Sequence, residues 1–424
     1  MNGNDLPALV TPIPGPASRG WVDRLAVREC PAITARRARR AAVLGRADDD
    51  PPVWVQARGV NVLDADGNLL VDLTAGFGAS SVGHAHPRVV QAGQQQLATL
   101  PHAMGDAFFH PGRVQLLEHL AAISGLDRAI LGSSGSDAVE AALKTACVAT
   151  GRDRVLAFDG SYHGLSYGAL PVTGYKSGAF RAPFAGQLGQ HVDHAPFGGP
   201  LPDLTGLGAV LVEPIQGRGG VRAPPQGWLA ELCDKAHAAG ALVILDEIFT
   251  GMGRTGCWFA FQEQGITPDL LCVGKGLGGG FPISACLGSA RVMDAWGAST
   301  GEAIHTQTFL GNPVGCAMAL ATLEVIEGEG LREQAQAQGA WLSGALAALP
   351  GVLGVRGRGL MVAPELGSGA RALAASRGML RRGWIVLPAG EEGDVLAFTP
   401  PLTVSRAVLE ASVIALGEVL GELL

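Results

Sequence analysis

The sequence predicts an α/β protein with a large domain on a mostly parallel sheet and a second, smaller α/β domain. Short apolar runs alternate with amphipathic helical stretches from Arg128 onward, the pattern of strands covered by helices on both faces. The 424 residues exceed one ordinary domain. After Pro313 a long helical stretch leads into a second alternation of helix and strand over residues 330–424. The expected organisation is an N-terminal arm and meander at 1–75 belonging to the smaller domain, a large domain at 76–315, and a C-terminal part of the smaller domain at 316–424.

Residues 1–50 are rich in proline and arginine and read as an extended arm with a short helix; the basic run Arg36–Arg40 is expected to be a solvated helix face. Residues 53–73 alternate around the turn Asp64-Ala-Asp-Gly-Asn68, which predicts a β-meander. A glycine-rich connection at 75–87 precedes a helix reaching Leu97, and another helix is expected over Pro111–Ser124. Strands are predicted at 129–131, 154–158, Ala209–Val212, 241–245, Leu270–Val273 and Ser284–Gly288, with helices at 137–150 and 228–239. In the C-terminal part, helices are expected at 332–349, 371–382 and 404–424, with strands at 359–364, 384–387 and 395–398. The strand order within the sheet cannot be read from the sequence.

Composition narrows the function classes. With 47% hydrophobic and 16% charged residues the chain is globular. A net charge of −7 argues against a nucleic-acid or anionic-membrane surface. The seven cysteines are scattered without a C-x-x-C pair, which suits a reducing cytoplasm and argues against a metal cluster. No stretch reaches the roughly 18 apolar residues that would span a bilayer, and prolines at 7, 12, 14 and 16 interrupt the N-terminus.

The stretch 269–285 holds the sharpest chemical signal. A four-residue apolar run delivers Lys275 into a turn built from Gly274, Gly276, Gly278, Gly279 and Gly280. A lysine at the end of a buried strand is partly desolvated, which lowers its pKa and exposes a nucleophilic amine; a surface lysine in a flexible loop is the alternative. A phosphate-binding P-loop is excluded, because Asp269 and Gly276 stand where it needs Gly and Ser or Thr. Gly251-Met-Gly-Arg-Thr-Gly256 has the spacing of a dinucleotide fingerprint, but no capped helix follows it, so a nicotinamide site there is only a remote alternative.

Ligands of α/β sheets sit beyond the carboxyl ends of the strands. The run 241–245 ends at Asp246, a carboxylate able to pair with a protonated ring nitrogen or to cap a loop. Leu131 leads to Gly132-Ser-Ser-Gly-Ser136 and a helix, either an anion site at the helix N-terminus or a plain serine cap. Phe158 leads to Tyr162, an aromatic plane beside glycines, and Val212 leads to Glu213. Thr308 lies in a further polar turn before a helix. A phosphate site, a stacking ring, a carboxylate and a lysine together describe a site for pyridoxal phosphate.

These motifs resemble those of the class III (ω-) aminotransferases, enzymes of pyridoxal-phosphate fold type I. The resemblance is borne by SSGSDAVEAALK (133–144), DGSYHG (159–164), VEPIQGRGG (212–220), LDEIFTGMGRTG (245–256), VGKGLGGGFP (273–282) and TFLGNP (308–313), and it spans about residues 50–410. It implies a seven-stranded-type sheet, transfer of an amino group from an amino-acid or ω-amino donor to a 2-oxo acid by a ping-pong route, and pyridoxal 5'-phosphate as cofactor. Lys275 would carry the cofactor's aldehyde and shuttle the proton, Asp246 would pair with the pyridine nitrogen, and Tyr162 would stack on the ring. Gly135 and Ser136 would hold the phosphate, and Thr308 would reach the phosphate of the partner subunit in a homodimer. Glu213 would lie on the substrate side of the ring, with Phe77 and Arg218 facing the substrate. His84, His86, His163 and Arg254 match positions read mainly as structural.

Three departures from the family pattern bear on substrate. Phe249 stands where many members have glutamine, Ala397 where members acting on 4-aminobutyrate often carry arginine, and Arg218 where those members have its glutamate partner. Both halves of that ion pair are therefore replaced together, and Arg218 either takes part in carboxylate recognition or faces solvent. An amino-acid racemase or epimerase of the same family remains an alternative reading of these motifs.

Overall fold

The computed structural model describes residues 1–34 and 51–423; the basic run Arg36–Arg40 lies outside the described residues. The central sheet is formed by β4 (Arg128–Gly132), β5 (Val155–Phe158), β6 (Val192–Ala195), β7 (Ala209–Val212), β8 (Leu242–Asp246), β9 (Leu270–Val273) and β10 (Ser284–Gly288). Its order is β4-β10-β9-β8-β7-β5-β6. Pairing is parallel from β6 across to β9, and β10 runs antiparallel to both of its neighbours.

The apolar runs are continuous because this sheet is covered on both faces. Side chains alternate between the faces along each strand. Ala209, Leu211, Ile244, Leu270 and Cys272 pack with Ala138, Val139 and Ala142 of the Gly135–Thr150 helix. Val210, Val212, Leu245, Leu271 and Val273 enter the larger core on the opposite side. That core also takes Ala319, Leu323 and Ile326 of the Pro313–Gly328 helix.

Two elements escaped the sequence reading for a shared reason. The edge strand β6 is Val-Asp-His-Ala, half-exposed and polar, so it lacks the apolar run of the central strands. Likewise β11 (Gly354–Arg358) reads Gly-Val-Arg-Gly-Arg. The helix expected from residue 137 starts at Gly135, since Ser134 is the cap. The Ser134 hydroxyl accepts from the Asp137 N–H, and the Asp137 carboxylate accepts from the Ser133 and Ser134 N–H groups, a capping box.

Two four-stranded sheets flank this unit. One has the order β1 (Trp54–Arg58), β2 (Asn61–Asp64), β3 (Leu69–Asp72), β13 (Trp384–Ile385), so the predicted N-terminal meander is extended by a strand from the C-terminal part. That added strand lies parallel to β3, with Trp384 opposite Val71. The other joins β11, β12 (Met361–Glu365), β15 (Val395–Ala397) and β14 (Leu387–Ala389). The N-terminal arm includes the Pro16–Ala26 helix and bridges to β3 through Ala8 and Leu69.

The Gly251–Gly256 segment opens no long helix; a short 3-10 turn, Ala260–Gln264, follows it. Its Arg254 is instead a buried tie to the C-terminal part. One guanidinium nitrogen donates to the carbonyls of Leu360 at 2.9 Å and Pro400 at 2.5 Å, and the Leu360 N–H donates back to the Arg254 carbonyl. Burial pushes the guanidinium down to about 9. Replacing Arg254 by methionine would leave two buried carbonyls without a donor. Urea denaturation of Arg254→Met should show a loss of about 2–4 kcal/mol, with an unchanged midpoint counting against this role for the tie.

Candidate active site

The carboxyl ends of the parallel strands bring together residues that are far apart in the chain. Asp246 is the last residue of β8, Lys275 follows β9 by two residues, Glu213 follows β7, and the 159–164 turn follows β5. In-register pairing sets Asp246 opposite Cys272, so the acid and the lysine leave neighbouring strands at nearly the same level.

Asp246 is 4% exposed and His163 2%. The His163 Nδ1–H donates to Asp246 Oδ2 at 2.7 Å, and the Ile248 N–H donates to the other carboxylate oxygen at 3.0 Å. Because a carboxylate accepts, His163 carries its proton on Nδ1. Its Nε2 is buried without a hydrogen-bond partner among the described residues.

Lys275 is half-buried, with φ at 37°, in the left-handed region that a side-chain-bearing residue rarely adopts. Gly274 and Gly276 flank it, and the Ser81 hydroxyl donates to the Gly276 carbonyl at 2.8 Å. Desolvation lowers the amine's pKa from the usual lysine value. The charges of Asp246 and Glu213 oppose that fall, and Arg218 adds to it. Its Nζ lies 4.3 Å from the ring centroid of Phe249. An amine so placed can act as a nucleophile and a proton carrier.

Glu213 is buried, and its two oxygens accept from the Tyr162 N–H at 2.8 Å and the Gly217 N–H at 3.0 Å. The same carboxylate thus sets the positions of the predicted ring residue and of the turn that presents Arg218. The guanidinium of Arg218 lies 4.6 Å from the Tyr162 ring centroid and 5.3 Å from that of Tyr175. Gly135 and Ser136 form the first turn of the 16-residue helix, whose N-terminus suits an anion.

Phe77 is exposed on the rim, again at positive φ. The turn that holds it is fixed by Asp72, which accepts from the Thr74 N–H and hydroxyl, the Gly76 N–H and His84 Nε2. Electrostatic and hydrogen-bond contacts link Lys275 to Asp246, Glu213 and Arg218, and Glu213 to Tyr162, while Arg218, Phe77 and Ala397 line one cavity. Thr308 is exposed in the turn before the Asn312-capped helix, away from these hydrogen bonds.

Sequence reasoning missed Tyr175, and it gave His163 no direct place beside Asp246. Tyr175 follows an unremarkable Thr-Gly, whereas His163 next to Tyr162 at a strand end was a usable signal. Glu247, adjacent to Asp246, belongs to the framework. It accepts from the Thr250 hydroxyl and the Ala260 and Phe261 N–H groups.

Comparison with known proteins agrees with this geometry. Residues 45–200 and 204–420 match the sequence model of the aminotransferase class-III family. An acetylornithine aminotransferase from Methanothermobacter thermautotrophicus is 37% identical over 382 residues, covering 88% of this chain and 95% of that one. One from Corynebacterium efficiens is 38% identical over 392 residues, covering 88% and 94%. Among solved structures, an amine transaminase from an uncultivated Pseudomonas species in its PLP-bound form superposes with a TM-score of 0.81 at 30% identity, covering 88% of this chain and 95% of that one. An ornithine aminotransferase from Toxoplasma gondii superposes with a TM-score of 0.81 at 28% identity, covering 95% and 96%.

The electrostatics of Glu213 give a pH test. Burial pushes its carboxyl up to about 7; His163 and the two N–H donors pull it down, and the Asp246 charge adds to the rise. Its folded value thus exceeds the ordinary 4.5 of the unfolded chain. Between these values the folded protein holds a proton that the unfolded chain has released, so stability falls as pH rises through this window. The site accounts for at most about 3 kcal/mol of that fall. Glu247, also raised to about 7, contributes its own slope in both proteins compared. Denaturation midpoints of the ligand-free protein between about pH 5 and about pH 8 should decline less in Glu213→Gln than in the wild type. Parallel declines would contradict the assignment.

Proposed function

This chain belongs to the class III aminotransferases, fold-type-I enzymes that use pyridoxal 5'-phosphate, and we propose that it carries out amino transfer in two half-reactions on a single site. In the first, an ω-amino or amino-acid donor gives up its amino group; in the second, a 2-oxo acid receives it. The observation that carries the site assignment is the desolvated Lys275 amine at the end of β9, within electrostatic reach of Asp246 and Glu213.

The residues present suit the cofactor. A lysine with a lowered pKa, an ionisable acid fixed by a histidine, and a helix N-terminus match its aldehyde, ring nitrogen and phosphate. When bound, pyridoxal phosphate supplies an aldehyde for amines and an electron-withdrawing ring.

The chain's own contribution is position and proton control. Lys275 Nζ would hold the cofactor's aldehyde, and as a free amine in the cleft it would act as the base that takes a proton from the donor carbon. Desolvation lowers its pKa, which shifts the amine toward the uncharged form. Asp246, held at both oxygens, would pair with the ring nitrogen, and the His163 Nδ1–H prevents it from turning away. The N–H groups of Gly135 and Ser136 would hold the phosphate, and Tyr162, fixed by Glu213, would border the ring.

We assign 76–315 to the cofactor-binding domain and 1–75 with 316–424 to the smaller domain, supported by the β3–β13 pairing. We also propose a cytoplasmic homodimer in which Thr308 serves the neighbouring site. Support comes from the exposure of Thr308 together with that of Phe108, Phe109, Ile304 and Phe309, apolar side chains that another surface would cover. The seven cysteines are free, as suits a reducing compartment. Among the described residues no helix is long and apolar enough to cross a membrane.

Lys275→Ala tests the assignment. Loaded with pyridoxal phosphate, the variant should lack the visible absorption band of a lysine-bound aldehyde, and amino transfer should fall at least about a hundredfold. Wild-type spectrum and turnover in the variant would refute the role given to Lys275.

A further inference from the structure

Arg218 sits at the tip of a pinned turn. The Gly217 N–H donates to Glu213, the Gly220 and Val221 N–H groups donate to the Gly217 carbonyl, and Gln216 and Arg222 bridge across the base. The Gly390 N–H donates to the Arg218 carbonyl, tying the tip to the C-terminal part. The guanidinium then lies over the rings of Tyr162 and Tyr175, and the Tyr175 hydroxyl donates to the Gly390 carbonyl. Contact with aromatic faces holds a guanidinium in place while leaving its N–H edges available.

Among the described residues no carboxylate lies within ion-pair distance of Arg218, and no acceptor takes a hydrogen bond from its side chain. Of the acids in the adjoining 390–394 turn, Asp394 faces Arg356 and Glu391 accepts from the Lys176 N–H. A pre-oriented cation with five unused donors is suited to a planar anion.

Among the described residues, Arg218 is also the only charged one lining a cavity of about 90 Å³. Phe77, Phe249, Pro388 and Ala397 make the apolar walls. The cavity's three hydroxyls are already committed, that of Thr399 to the Thr74 carbonyl, that of Thr74 to Asp72 and that of Tyr175 to the Gly390 carbonyl. Phe249 is the shared wall, with the Lys275 amine against its ring.

We propose that Arg218 receives the carboxylate of the amino donor, so that the donors are amino acids whose carboxylate is separated from the reacting amine by a short apolar chain. The chain would cross Phe249, with the amine toward Lys275 and the carboxylate in the fork of Arg218. The inference rests on the amino-transfer reading of Lys275, and two separate readouts distinguish the failure of one from the failure of the other.

The holoenzyme is assayed with δ-aminovalerate and with its primary amide, and the ratio of their kcat/KM values is compared among wild type, Arg218→Gln and Arg218→Lys. Separately, glutarate, which has no amine to transfer, is titrated calorimetrically into each protein. Arg218→Gln should lower the acid-to-amide ratio at least about tenfold, chiefly through KM, and weaken glutarate by a similar factor. Arg218→Lys should fall between, since it keeps the charge and loses the fork. An unchanged ratio, unchanged glutarate affinity in Arg218→Gln, or no glutarate binding to the wild type would overturn the proposal. Should the wild type transfer no amino group at all, the Lys275 reading fails, and the glutarate titration still decides Arg218.

Discussion

A lysine amine and a carboxylate kept close together, out of water and unable to neutralise each other by direct contact, form the constraint on which the rest of this structure depends. Asp246 is engaged by His163 and by a backbone N–H, so it does not collapse onto Lys275. The amine is pressed toward neutrality by desolvation while the two acids near it pull the other way. Holding that balance needs a rigid frame. Parallel, in-register β8 and β9 provide one, with both faces of the sheet packed against helices. The left-handed backbone at Lys275 fits the same picture, since strained residues persist where their surroundings determine them fully.

The central sheet was legible because its strands are buried on both faces, which writes them as plain apolar runs. Ala209–Val212, Leu270–Val273 and Ser284–Gly288 stand where those runs predict. Strands β6 and β11 were not legible. At a half-exposed edge nothing requires apolar residues, and glycine and charge hide the element. The order of strands in the sheet, and the addition of β13 beside β3, depend on contacts between distant parts of the chain and leave no local trace.

The site was legible at the level of strand ends. Short polar motifs directly after apolar runs mark Asp246, Lys275, Glu213 and Tyr162, and parallel pairing gathers them at one end of the sheet. The partnerships were not legible. That His163 holds Asp246, that Glu213 sets both Tyr162 and the Gly217 turn, and that Arg218 is clamped by two tyrosines are facts of packing. The departures at Ala397 and Arg218 take on meaning only once both are found lining one cavity.

The chain has four lysines, Lys144, Lys176, Lys235 and Lys275, of which Lys144 and Lys235 are exposed and Lys176 lies over the Tyr175 ring. This makes one measurement especially direct. The protein is loaded with pyridoxal phosphate, treated with borohydride to fix any adduct, digested, and mapped by mass spectrometry. The account predicts a single stoichiometric adduct on the peptide containing Lys275; an unmodified Lys275, or an adduct on one of the other three lysines instead, would contradict it.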